Sequence, residues 1–154
     1  MLSNILKPEQ TLINLNVKNK RHLFQELSTR SSLLNKNIKD KMLYNEIVKR
    51  ERLGNTSIGN GIAMPSAIIK NITKPFVLFS LLAKPINYNS DDNKDVDIVC
   101  LVVTPDSSNS KHLYFLSSFS RIIKNGNIPN ELRGCDSSDS LLAVITNYNL
   151  SSAA

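Results

Sequence analysis

An α/β fold is predicted for this chain, and three observations carry the prediction. Two near-continuous apolar runs, 76–83 and 96–103, read as strands buried on both faces, the kind that helices cover on either side. Segments with helical spacing of apolar residues are interleaved with these runs rather than grouped apart from them. Three of the five glycines fall between positions 54 and 61, directly before a short apolar segment that Pro65 closes. Glycine costs conformational entropy unless its backbone freedom is used, so this loop needs unusual dihedral angles or a close backbone approach.

Residues 11–15 alternate apolar and polar side chains and predict a first strand. Residues 18–34 place apolar side chains at 23, 24, 27 and 34, which fits an amphipathic helix. Asn37, with Asp40 three residues on, is a plausible cap for a second helix through Arg52, with Met42, Leu43, Ile47 and Val48 facing inward. Gly54 falls just past its end, where a left-handed residue is expected. The glycine loop leads into a strand at 61–64, and Ser66 then sits where a strand delivers a side chain to a surface. Ser108 is a candidate cap for a long helix that buries Leu116, Phe119 and Ile123. A short helix is expected over 128–133. A last one, capped by Asp136, is expected through Asn147 with Leu141, Leu142 and Ile145 inward, leaving 151–154 frayed. No repeat or linker interrupts the 154 residues, so one domain over 1–154 is expected, with its core at about 5–146.

Composition bounds the function. The apolar fraction of 41% suits a soluble globular protein, and the N-terminus has no charged-then-apolar leader pattern. The apolar runs are too short to span a bilayer, so a cytoplasmic location is expected. Cys100 lies in an apolar run and Cys135 in a polar one, without a CxxC partner or neighbouring histidine; reduced structural thiols are expected, with no metal or cofactor. The net charge is +6, yet the basic residues are scattered and no aromatic-basic stacking motif appears, which makes nucleic-acid binding a minor reading.

Known site motifs were tested against the sequence. Gly54-x-x-x-x-Gly59 begins like a phosphate loop, but Asn60 and Gly61 stand where Lys and Ser/Thr are needed. The run from Asp91 to Asp97 lacks the glycine and glutamate of a calcium loop and reads as a solvated turn. A Ser66–His112 hydrolase would need a nucleophile elbow, and none is present.

The stretch from Arg50 to Ser66 instead resembles the type 2 enzyme IIA domain of the bacterial phosphotransferase system, in particular its nitrogen-regulatory branch. Arg50, Glu51, Gly54, Thr56, Ile58, Gly59, Asn60, Gly61, Ile62, Ala63 and Pro65 stand in register with that family's motif. Downstream, the acidic run before 96–103, Thr104-Pro105 and His112-Leu113 continue the resemblance over roughly residues 5–146. It implies a mixed sheet of about five strands with helices on both faces. It also implies a phosphoacceptor histidine after the proline, a second histidine at 112, and an arginine at 50 beside the phosphoryl group. The chain departs from the pattern at that decisive place: Ser66 stands at the acceptor position, followed by Ala67.

A serine hydroxyl is a poor nucleophile without a base, and its phosphate ester does not readily transfer onward. The candidate site is therefore Ser66, His112 and Arg50, with Thr56, Gly59, Asn60 and Gly61 as a candidate anion-binding loop. His22 matches nothing in the family site and is expected at the surface. The leading expectation is a regulatory protein-binding module that cannot carry phosphohistidine at the usual place. The resemblance implies a small phosphocarrier protein and regulated targets, such as potassium-transport or sensor-kinase proteins, as partners. The alternatives are a phosphotransfer protein that uses His112 as acceptor, and a basic nucleic-acid-binding protein.

Overall fold

The structure, a computed structural model, describes residues 6–106 and 109–153, with side chains given through 106 and from 111 to 147. After a short 3-10 turn at Pro8–Gln10 the order is β1 (Thr11–Leu15), α1 (Lys20–Leu34), α2 (Asp40–Leu53), β2 (Ser57–Gly59), β3 (Ile62–Ala63) and β4 (Ser66–Ile69). There follow β5 (Phe76–Ile86), β6 (Val96–Pro105), α3 (Asn109–Lys124), α4 (Ile128–Arg133) and α5 (Ser138–Ala153).

The strands form one mixed sheet in the order β1-β5-β6-β3-β2, with β4 also paired to β6. β5 and β6 are antiparallel and central, while β3 and β4 lie in succession along the other edge of β6, both parallel to it. The two apolar runs are thus the two middle strands, as their lack of alternation predicts. Their side chains still divide by face. Val99, Leu101 and Val103 join a core with Leu23, Leu27, Leu43 and Ile47 of α1 and α2. Ile98, Cys100 and Val102 join a second core with Phe119 and Ile123 of α3, Leu132 of α4, and Leu141 and Ile145 of α5. The helices therefore cover both faces of the sheet.

Several boundaries differ from the sequence reading. Helix α1 starts at Lys20 because Asn19 caps it, its side chain accepting the His22 N–H at 2.8 Å. Asn37 does not cap α2; it lies in the preceding turn, its N–H bonded to the Asn35 side chain, and Lys39 holds the N-cap position without a side-chain bond. Gly54 is extended (φ 166°), not left-handed, because the chain leaves α2 straight toward Thr56. Ser137, not Asp136, caps α5, its hydroxyl accepting the Ser140 N–H at 3.1 Å, and α5 continues past Asn147 to Ala153. The proposed cap at Ser108 lies outside the described residues.

The correction that matters most concerns Pro65. It interrupts an edge strand instead of ending it. Proline removes one ladder donor, but its carbonyl still accepts from Val102 N at 3.1 Å, and Ser66–Ile69 resume pairing with β6. The sheet accordingly has six strands, where about five were expected. Likewise β5 runs on through Lys84-Pro85 to Ile86, with a register shift between Leu81 and Ile86. Among the described residues no helix is long and apolar enough to cross a membrane.

Candidate functional site

Register places Ser66. It pairs with Val102, and Ala67 with Val103, so Ser66 shares the Val102 face, the one covered by α3. Ala67 and Ile69, on the opposite face, belong to the α1–α2 core. Two residues beyond Val102 on the same face is Thr104, and its hydroxyl meets the Nδ1 of His112 at 2.5 Å. Ser66 and Thr104 thus lie on one face of the paired strands, and His112, in the first turns of α3, meets that face at Thr104.

All three are buried: Ser66 is 1% exposed, Thr104 1% and His112 7%. The expectation that Ser66 stands at a surface is therefore wrong. It opens β4 instead of following a strand's end, and paired strand and covering helix close over it.

Burial pulls the His112 pKa below its ordinary value of 6.5, and the Arg50 guanidinium lowers it further by cation repulsion. The imidazole is thus neutral near pH 7, with Nδ1 engaged by Thr104. At the end of α2 the Arg50 Nη1 donates to its own turn at Gly54 O, 3.0 Å away. Ser66 and Thr104 thus share one face beside β6, with His112 bonded to Thr104, and Arg50 lies at the end of α2.

The glycine loop does not join them. Gly59, Asn60 and Gly61 form the tip of the β2–β3 hairpin, all with positive φ (98°, 56° and 77°). Gly61 O accepts from the amides of Asp97 and Ile98, so the tip lies at the start of β6. Five residues of strand, about 16 Å at ~3.3 Å each, separate it from the level of Ser66. Arg133 clamps it there, with its guanidinium on both Asp97 carboxylate oxygens and on Asn60 O. A side chain at position 61 would come within 2.8 Å of Arg133 Nη2 and 3.1 Å of Asp95 O, which explains that glycine by space as well as by φ. The glycines serve a tight turn and a close approach.

Thr56 is the member of the expected loop that lies at the other end. Its carbonyl accepts from Met64 N at 2.9 Å, two residues before Ser66. The acidic run forms an exposed turn in which Asp92 accepts from the Lys94 and Asn60 amides, holding its carboxyl below the usual range. His22 is half-buried, with Nδ1 accepting from Lys18 N. Cys100 is fully buried, which drives its thiol pKa far up, and Cys135 is half-buried; neither forms a disulfide. Sequence reasoning missed Thr104 as the partner of His112; it noted the residue only as the end of an apolar run.

The profile described as "Phosphoenolpyruvate-dependent sugar phosphotransferase system, EIIA 2" matches residues 4–148. A nitrogen regulatory protein of Bradyrhizobium diazoefficiens is 28% identical over 144 residues, covering 94% of each chain. The crystal structure of the nitrogen regulatory protein IIA-Ntr from Neisseria meningitidis superposes with a TM-score of 0.87 at 21% identity, covering 94% of this chain and 98% of that one. The mannitol enzyme IIA of Escherichia coli, solved in complex with its phosphorylated enzyme IIB, gives 0.78 at 15% identity, covering 92% and 97%. At those identities the solved structures speak for the fold.

Proposed function

Since the chain belongs to the enzyme IIA type 2 family of the phosphoenolpyruvate-dependent sugar phosphotransferase system, we propose that it is a nitrogen-regulatory member that acts by protein binding and does not carry phosphohistidine at the usual place. One observation carries this reading: Ser66 occupies the acceptor position within an otherwise matching motif. A histidine there would form a phosphoramidate, a high-energy link that can be passed on. A serine would form a stable ester, and only if a base activated it. Ser66 is buried beneath the paired strand and the covering helix, and the His112 Nδ1 is engaged by Thr104.

The surface beside the site suits a protein partner. Leu53, three residues after Arg50, is 82% exposed; Leu113 and Tyr114, next to His112, are 66% and 56% exposed. Exposed large apolar side chains with basic neighbours such as Arg52 and Lys111 fit a docking face. The partners are a phosphocarrier protein and a regulated target of the transporter or sensor-kinase kind, met in the cytoplasm. The regulatory names of the relatives favour this reading over phosphotransfer at His112 and over nucleic-acid binding.

The direct test is incubation with phosphoenolpyruvate, the general enzyme of the system and its carrier. No acid-labile phosphate should appear. Labelling that maps to His112 would establish the phosphotransfer reading in its place. Binding to DNA or RNA that weakens steeply with salt would favour the nucleic-acid reading.

A further inference from the structure

One hydroxyl decides what the buried imidazole can do. Thr104 stands one residue before the end of β6, and His112 lies in the first turn of α3. Their side chains meet at 2.5 Å, with Thr104 1% and His112 7% exposed. The Thr104 side chain has no room to turn to water, because β4 pairs alongside it at Ile68 and α3 covers its face.

A hydroxyl can give or accept a hydrogen bond, and a neutral imidazole carries one bare nitrogen and one N–H. Two arrangements therefore fit the same geometry. In one, Thr104 donates to a bare Nδ1 and the ring proton sits on Nε2. In the other, Nδ1–H donates to Thr104 and Nε2 is bare. The first is favoured on three counts. The ring is kept neutral, since it is buried and the positive end of α3 opposes a further cation there. Nε2–H is also the tautomer that a free histidine side chain prefers when neutral. Lastly, a buried O–H without an acceptor is costly, and Nδ1 lies at bonding distance from this one.

We propose that Thr104 is a positioning residue: its hydroxyl donates to Nδ1 and so holds His112 as the Nε2–H tautomer, a fixed hydrogen-bond donor with neither nitrogen free to take a phosphoryl group. To attack phosphorus, a ring nitrogen must offer a lone pair. The Nδ1 pair receives the Thr104 proton. The Nε2 pair belongs to the ring's π system while that nitrogen carries its own proton. What the imidazole offers a partner is the Nε2–H, which suits a carbonyl or carboxylate oxygen. The proposal deepens the protein-binding reading of this site and rests on it, giving His112 a contact to make in place of a cargo to carry.

The experiment is ring-nitrogen NMR of the full chain, with pH titration, on the parent, Thr104→Val and Thr104→Ser. His22 is the internal standard, because its Nδ1 accepts from Lys18 N and is therefore bare. Above the midpoint, the parent's His112 should show a bare Nδ1 like that of His22, and a protonated Nε2. Thr104→Val keeps shape and charge but withdraws a bond that only the neutral ring can accept. The His112 midpoint should then rise by about half to one pH unit, while that of His22 stays. Thr104→Ser should return it. The sign is diagnostic: a bond donated by the ring is stronger in the charged form, and its loss would lower the midpoint. An Nδ1–H in the parent, or a midpoint that falls or stays in Thr104→Val, overturns the positioning role and leaves the protein-binding reading standing. A rise in Thr104→Val that is equally present in Thr104→Ser overturns it too, since the hydroxyl is then not the cause. Acid-labile phosphate mapped to His112 in the relay assay would end both readings at once. Should Thr104→Val fail to fold, the tautomer of the parent still decides, because it needs no substitution.

Discussion

At position 66 the chemistry and the packing can be separated. Ser66→His should restore the acceptor nitrogen, and acid-labile phosphate should then appear in the relay assay where the parent chain shows none. Position 66 is 1% exposed, so the larger ring should cost about 1–3 kcal/mol in urea unfolding. His112 supplies a pH test. Its folded pKa lies below the ordinary value of 6.5, so between those two values the unfolded chain binds a proton that the native chain refuses. Stability is then full above pH 6.5 and declines as pH falls toward the folded pKa. His112→Gln should flatten that part of the stability profile, and an unchanged acid slope would contradict the assignment. The identities of these residues were legible in the sequence, because the motif brings Arg50 to Ser66 into register and His112 opens a helix. The Thr104–His112 bond was not, since it depends on which face of β6 each residue takes. The burial of Ser66 was missed for a related reason. Burial there depends on pairing with a strand some thirty residues later, and a proline in the sequence says only that one donor is lost.

At the scale of elements, the β2–β3 hairpin is fastened at its tip by Arg133. Arg133→Ala removes the bonds to Asp97 and Asn60 O together. Faster hydrogen exchange is expected at the Asp97 and Ile98 amides, which bond to Gly61 O, with no change in the His112 titration. Gly61→Ala should be the harsher lesion, at about 1–3 kcal/mol, because strain at positive φ adds to a Cβ 2.8 Å from Arg133 Nη2. Gly59→Ala has the same sign of φ but open space, so the smaller of the two losses should be seen there in denaturant melts. The glycines were readable as a strained turn. Their separation from the site was not, because sequence proximity to Ser66 hides the length of strand between them. Helix existence was easily read from apolar spacing at Leu23, Leu27, Leu43 and Ile47. Caps were read less well: Asn37 and Asp136 are good cap residues that neighbours displaced, through the Asn35 side chain and Ser137.

Across the whole molecule, two cores share the central strands, so damage to either should be felt as global unfolding. Phe79 is fully buried and meets Phe119 with ring centroids 6.3 Å apart. Phe79→Ala should cost about 3–5 kcal/mol, a large part of what a domain of this size commands. The two thiols report the same cooperativity without mutation. Cys135 is half-buried, whereas burial drives the Cys100 pKa far up. One equivalent of alkylating reagent should react with the native protein and the second only as it unfolds; simultaneous reaction of both would argue for a loosened centre. The pairing of β3 and β4 with β6 has a further bearing on how the protein is made. Residues 62 and 66 find their partners at 98 and 102, and the imidazole arrives later still on α3. During synthesis the motif emerges from the ribosome well before anything can cover it. A nascent chain halted short of β6 would hold every recognisable residue of the motif and none of its geometry.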